Sequence, residues 1–118
     1  MTEYVVLLTG DEKAWEAASP AEQAAMYDQH GEFSRLLEER GHRITGGAQL
    51  DSSRTARVVR PSGDGTVLTE GPYVESVEQL GGFYVVESDD LDDLLELCAI
   101  LARTGDTVEV RACLAAPE

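Results

Sequence analysis

T-E-G-P-Y-V-E-S-V-E-Q-L-G-G-F-Y-V-V, residues 69–86, packs turn residues, carboxylates and an apolar run more densely than any other part of the chain. Proline fixes its own φ and biases the preceding residue away from helix, so Gly71-Pro72 predicts a bend after the strand-like Thr66-Val67-Leu68-Thr69. Glu75, Glu78 and Gln79 follow. Gly81-Gly82 then leads into Phe83-Tyr84-Val85-Val86, whose aromatic and β-branched residues read as a core strand. Polar groups are thus expected against a rigid element.

Upstream of the bend, Thr55–Arg60 and Thr66–Thr69 flank the turn Pro61-Ser62-Gly63-Asp64-Gly65 and predict a peripheral hairpin. Before it, 43–50 alternates, with Ile44, Gly46, Ala48 and Leu50 on one side; Gly46-Gly47 predicts a bulge or close backbone approach. Downstream, Ser88 or Asp89 is expected to cap a helix with apolar positions Leu91, Leu94, Leu95, Cys98 and Leu101. Asp90, Asp92 and Asp93 in its first turn complement the helix dipole, which accounts for the acidic cluster without a metal. Gly105 ends that helix. Val108, Val110 and Ala112 alternate in a last strand, and Leu114 to Glu118 has no pattern.

At the other end, Tyr4-Val5-Val6-Leu7-Leu8 is a continuous apolar run ended by Thr9-Gly10-Asp11, as in a central strand. Trp15 falls in a linking segment, to cover the core rim or line a pocket. Ser19-Pro20-Ala21-Glu22 is a capping box with proline at the first helical position, and the helix is expected to reach about Arg40 with Gly41 just beyond. Met26, His30, Phe33 and Leu37 form its core-facing stripe.

The order is β-α-β, a hairpin insertion, then β-α-β. It predicts one α+β domain over 1–118 with the ferredoxin-like split βαβ arrangement, helices on one face of an antiparallel sheet. One helix layer leaves the other sheet face bare. Val6, Phe83, Val85, Val108 and Val110 are expected to need further cover, which predicts a homodimer.

Composition excludes several classes. With 9 Lys plus Arg against 23 Asp plus Glu, the net charge is −14, unsuited to nucleic acid, whose phosphates require a basic surface. Met1-Thr2-Glu3-Tyr4 has no basic leader character, and no run approaches the ~18 apolar residues of a membrane span, so a cytoplasmic protein is expected. Cys98 and Cys113 lack metal-site spacing and are expected as free thiols. No nucleophile elbow, phosphate-binding glycine loop or HExxH is present, so neither cofactor nor metal is indicated.

His30 leads the candidates, because an imidazole oriented by a carboxylate shuttles protons near neutral pH; Asp51, Glu70 and Glu75 are the acids on loops near enough to be considered. His42, just after a helix end, is assigned to terminal carbonyls and left outside the site. Glu70, Tyr73, Glu75, Gln79 and Tyr84 are the ligand-binding candidates. Two readings follow: a dimer that holds a small molecule or acts as an accessory protein, which is favoured, and an enzyme using His30 for proton transfer or lyase-type chemistry.

The stretch T-E-G-P-Y-x-E-x-x-E-Q-L-G-G-F-Y resembles the signature of the YCII-related proteins, in the subgroup named after its D-G-P-F tetrapeptide. So do G-D-E-x-x-W, Y-x-x-x-x-x-F, G-G-x-x-L, A-x-x-V-R and the final T-V-E-V-R, so nearly the whole chain is covered. Glu70 and Tyr73 replace the Asp and Phe of the tetrapeptide while keeping charge and ring; Asp51 stands where proline is frequent. The resemblance implies a dimeric α+β barrel, a histidine and aspartate pair that maps to His30 and, at best, Asp51, and a functional link to an extracytoplasmic-function sigma factor.

Overall fold

The structure, a computed structural model, describes residues 1–116; the last two residues of the patternless tail and of the expected domain lie outside it. Strand β1 (Thr2–Asp11) runs into a short helix α1 (Glu12–Ala17) and a long one, α2 (Pro20–Glu39). Strand β2 (Arg43–Gln49), a single turn at Ser53–Thr55 and the ribbon β3 (Arg57–Ser62) and β4 (Gly65–Glu70) come next. Strand β5 (Glu78–Ser88), helix α3 (Leu91–Ala102) and strand β6 (Thr107–Ala112) close the chain. Among the described residues no helix is long and apolar enough to cross a membrane.

Both ends of α2 are fixed by the residues that predict it. The Ser19 hydroxyl accepts from the Glu22 N–H at 3.1 Å while the Glu22 carboxylate accepts from the Ser19 N–H at 3.0 Å, satisfying two otherwise orphaned donors. At the other end Gly41 turns left-handed with φ of 85°. That turn lets the Gly41 N–H donate to Glu38 O at 3.2 Å and the His42 N–H donate to Leu37 O at 2.9 Å, the paired bonds of a Schellman motif. α3 starts later than expected: Asp90, not Ser88 or Asp89, is the cap, its carboxylate accepting from the Asp93 N–H at 3.1 Å.

The main sheet is antiparallel, in the order β2-β5-β1-β6. This order, with α2 and α3 packed on one face, is compatible with the ferredoxin-like α+β arrangement. β5 begins well before the predicted Phe83 because Gly81 is absorbed as a bulge: Leu8 faces Gly82 while Thr9 faces Leu80. β2 also slips, between Ile44 and Gly46, and a side chain at Gly47 would strike Phe83 O at 2.5 Å, which is the predicted close backbone approach. The predicted hairpin forms a separate two-stranded sheet, exposed throughout except at Val58.

The core is Val6, Leu8 and Val86 from the sheet, Phe33 and Leu37 from α2, and Leu94, Leu97, Cys98 and Leu101 from α3. Two expectations are corrected here. On α3, Leu91 and Leu95 are exposed and Leu97 takes the buried place, because a helix apolar on several sides offers more than one phase. On the sheet, Val6, Val108 and Val110 lie on the helix-covered face, because side chains alternate and these share a face with the core. Phe83 and Val85 do point the other way, opposite Leu7 and Val5 of β1. The Cα framework measures 49 × 48 × 17 Å, the thickness of one sheet and one helix layer. Cys98 is a buried free thiol, its pKa pushed up to about 11 by burial, and Cys113 is half-buried and free.

Candidate functional site

The strand order brings together residues that are remote in the sequence. β1 and β6 are antiparallel neighbours with Thr9 opposite Thr107, so the end of β1 lies beside Asp106 at the entry to β6. α2 crosses the same end of the sheet. Between them lies a cavity of about 680 Å³ reached by Leu8 and Gly10 of β1, Met26, Tyr27 and His30 of α2, Gln49 to Ser52, and Gly82 and Tyr84 of β5.

His30 is half-buried on the wall of this cavity. Its Nδ1 lies 2.6 Å from the hydroxyl of Tyr84, and the two rings stack with centroids 5.8 Å apart. Phe33, one turn along α2, packs a tilted ring on Tyr84 at 5.3 Å and fixes the phenol from the core side. Burial holds the His30 pKa below its ordinary value, and the negative charge of Asp106 partly restores it. Burial likewise raises the Asp106 carboxyl, with His30 pulling it back. The Tyr84 phenol is raised by burial against a weaker opposing effect of the Ser34 hydroxyl, so it stays protonated across the neutral range. Among the described residues the site is a neutral imidazole, a phenol and a carboxylate sharing one field.

Glycine makes room for the carboxylate. A Cβ at Gly10 would run into Asp106 Oδ1, so Asp106 rests directly on the Gly10 backbone. No hydrogen bond from the described residues ties Asp106 down; burial and the His30 ring are what act on it.

The opposite wall is built around α1. The Glu12 carboxylate accepts from the Ser53 N–H at 2.9 Å, the Ser53 hydroxyl at 2.8 Å and the Ser52 hydroxyl at 3.3 Å, which together hold its pKa low. Arg54 donates through both Nη atoms to Glu16 Oε2 at 3.2 Å. Trp15, expected in a linker, sits instead on α1, lines the cavity and meets Tyr27 edge-on with centroids 5.5 Å apart. Tyr27 donates from its hydroxyl to Gln49 Oε1 at 3.2 Å.

The sequence candidates divide accordingly. His30 and Tyr84 are in contact, and Asp51 is on the cavity rim, its carboxylate accepting from the Ser52 N–H at 2.7 Å. The acid whose charge acts on His30 is Asp106. Gln79 reaches the cavity too, but its amide donates to Val74 O and Ser76 O and so ties down its own loop. Tyr73 lines a second, shallower hollow with Leu50, Pro72 and Leu80, under the Arg60 guanidinium at 5.2 Å. Glu70 and Glu75 are exposed and line neither cavity. Asp106 and Glu12 escape a sequence reading, yet one signal existed: in this strand order Gly10, next to the end of β1, must face the residue entering β6.

His42 has different partners from those expected. It is 5 % exposed, and its ring bridges Ser88 Oγ at 2.8 Å through Nδ1 and Asp93 Oδ2 at 2.8 Å through Nε2. Asp93 also accepts from Arg40 Nη1 at 2.8 Å, and its pKa is held low chiefly by the His42 bond. The set resembles a Ser-His-Asp relay, but Ser88 is 1 % exposed and no substrate reaches its hydroxyl. It braces the end of α2 against β5 and α3. Among the described residues no group of His, Cys, Asp and Glu is arranged to hold a metal ion.

Over residues 2–113 the chain matches the YCII-related domain. An uncharacterised protein of Rhizobium meliloti (strain 1021) is 30% identical over 102 residues, covering 86% of this chain and 82% of that protein.

Proposed function

This chain belongs to the family of YCII-related domains, and from that premise we propose that it is a homodimeric enzyme that transfers protons on a small molecule. The observation that carries the reading is the 2.6 Å contact between His30 Nδ1 and Tyr84 at the wall of an open cavity. With Nδ1–H donating to the Tyr84 oxygen, Nε2 is left as the free basic nitrogen. A proton taken from substrate at Nε2 makes an imidazolium, and the Asp106 charge stabilises it; returning that proton to another substrate atom completes an isomerisation or assists a leaving group. Burial supports the base form at neutral pH.

His30→Gln keeps the helix and much of the side-chain volume while removing the base. With any substrate found by screening, it should lower kcat by at least about 100-fold while leaving the fold intact. Turnover at the wild-type rate would sink the enzymatic reading. Membership of the D-G-P-F subgroup and an accessory role linked to an extracytoplasmic-function sigma factor rest on the resemblance of the 69–86 stretch. In that accessory reading the variant would bind its ligand and nothing would be turned over by either protein.

The dimer is supported by the bare sheet face. Val5, Leu7, Phe83 and Val85 cluster on the side without helices, with the Arg111–Glu109 ion pair on β6 at its margin. A self-complementary two-fold contact through this face would form the dimeric α+β barrel.

A further inference from the structure

The cavity wall carries a charge pattern that the proton-transfer reading does not need. Asp11, Glu12, Glu16, Asp51 and Asp106 line it, against a single guanidinium, Arg54. Most of these acids have work of their own. Asp11 caps α1 through the Ala14 N–H at 3.0 Å, Glu12 holds Ser52 and Ser53, and Glu16 neutralises Arg54. Asp106 differs: it sits half-buried on the Gly10 backbone with no hydrogen bond from the described residues. The cavity also offers aromatic surface, Trp15 and Tyr27 packed edge to face.

An anion entering here would meet five carboxylates and find its only countercharge already engaged. A cation would find an open carboxylate at one end and aromatic rings along the wall, the combination that binds ammonium groups. Resting on the site assigned above, we infer that the ligand is a small amine carrying an apolar or aromatic body, its ammonium on Asp106 and the body along Trp15 and Tyr27. This places the atom next to the ammonium within the neighbourhood of His30, which is where a proton would be exchanged.

Three probes of matched shape separate the charge from the body: phenethylamine, 2-phenylethanol and 3-phenylpropionate, titrated into the full chain at physiological salt with binding followed by calorimetry and amide shifts. Phenethylamine should bind at least about tenfold tighter than either of the others. Asp106→Asn should remove that preference, and Gly10→Ala, which displaces the carboxylate without removing its charge from the protein, should do the same. A preference for the acid, equal binding of all three, or an amine preference that survives both variants as mere attraction to a protein of charge −14 would overturn the inference. Binding and turnover are read in separate measurements, which keeps the failures apart. Amine binding without any turnover would therefore count against the enzymatic reading and not against the ligand class.

Discussion

His30 and Tyr84 are joined by a 2.6 Å contact that ties the middle of α2 to β5, in the field of the Asp106 carboxylate. Because burial outweighs Asp106 in lowering the His30 pKa, the ring should titrate below its ordinary 6.5. The folded chain then binds this proton less readily than the unfolded one. The His30 share of stability is intact above 6.5 and drains as pH falls through the folded value. Asp106 has the opposite sign: its raised pKa costs stability as pH rises through the folded value, so Asp106→Asn should melt higher than wild type at pH 7. The same variant should move the His30 midpoint further down, read by ring-proton NMR. A His30 midpoint above 6.5 would contradict the arrangement.

The bare sheet face should be a contact between copies. Val85→Asp places a charge among Val5, Leu7 and Phe83 without touching the helix-covered core. Sedimentation of the wild type at micromolar concentration should give a dimer and the variant a folded monomer. A wild-type monomer under those conditions would remove the dimer from the proposal.

His42→Ala should destabilise by about 2–4 kcal/mol, since it empties a buried site and removes one hydrogen bond each from Ser88, which keeps the Asp90 N–H, and from Asp93, which keeps Arg40. The depressed Asp93 pKa adds an acid limb: its contribution is present above 3.8 and lost as pH falls through the folded value. Thermal melts between pH 3 and 7 check both, and the wild type should lose part of its advantage over the variant at the acid end. A variant that melts with the wild type throughout would show that the brace carries no load.

The fold was legible wherever a local rule acted alone. Ser19, Glu22 and Gly41 fix the ends of α2, and the order of elements gives the sheet arrangement. Legibility failed where a choice depended on partners. Gly81 reads as a strand start until β1 is laid beside it, and Leu97 looks no more buried than Leu95 until α3 meets the sheet. His30 facing Tyr84 was within reach, because both point into the same layer. Asp106 was not: it is 76 residues from His30 in sequence and nothing local marks it. His42 was placed at the right end of the helix, but its ring turns to Ser88 and Asp93, side chains that only the folded chain brings near.

The two walls of the cavity are built to different mechanical standards. α2 is pinned at its start by a reciprocal cap and at its end by Gly41 and the His42 brace, so His30 rides on a beam clamped at both ends. α1 has six residues, none buried, and is held by the Asp11 cap, by Glu12 and Glu16, by the Gln23 amide donating to Trp15 O and by the edge of one ring. A guest of awkward size therefore meets one fixed jaw and one sprung jaw, and the accommodation falls on the α1 side. Tolerance for different ligands and precision in proton transfer are thereby given to separate parts of the same small chain.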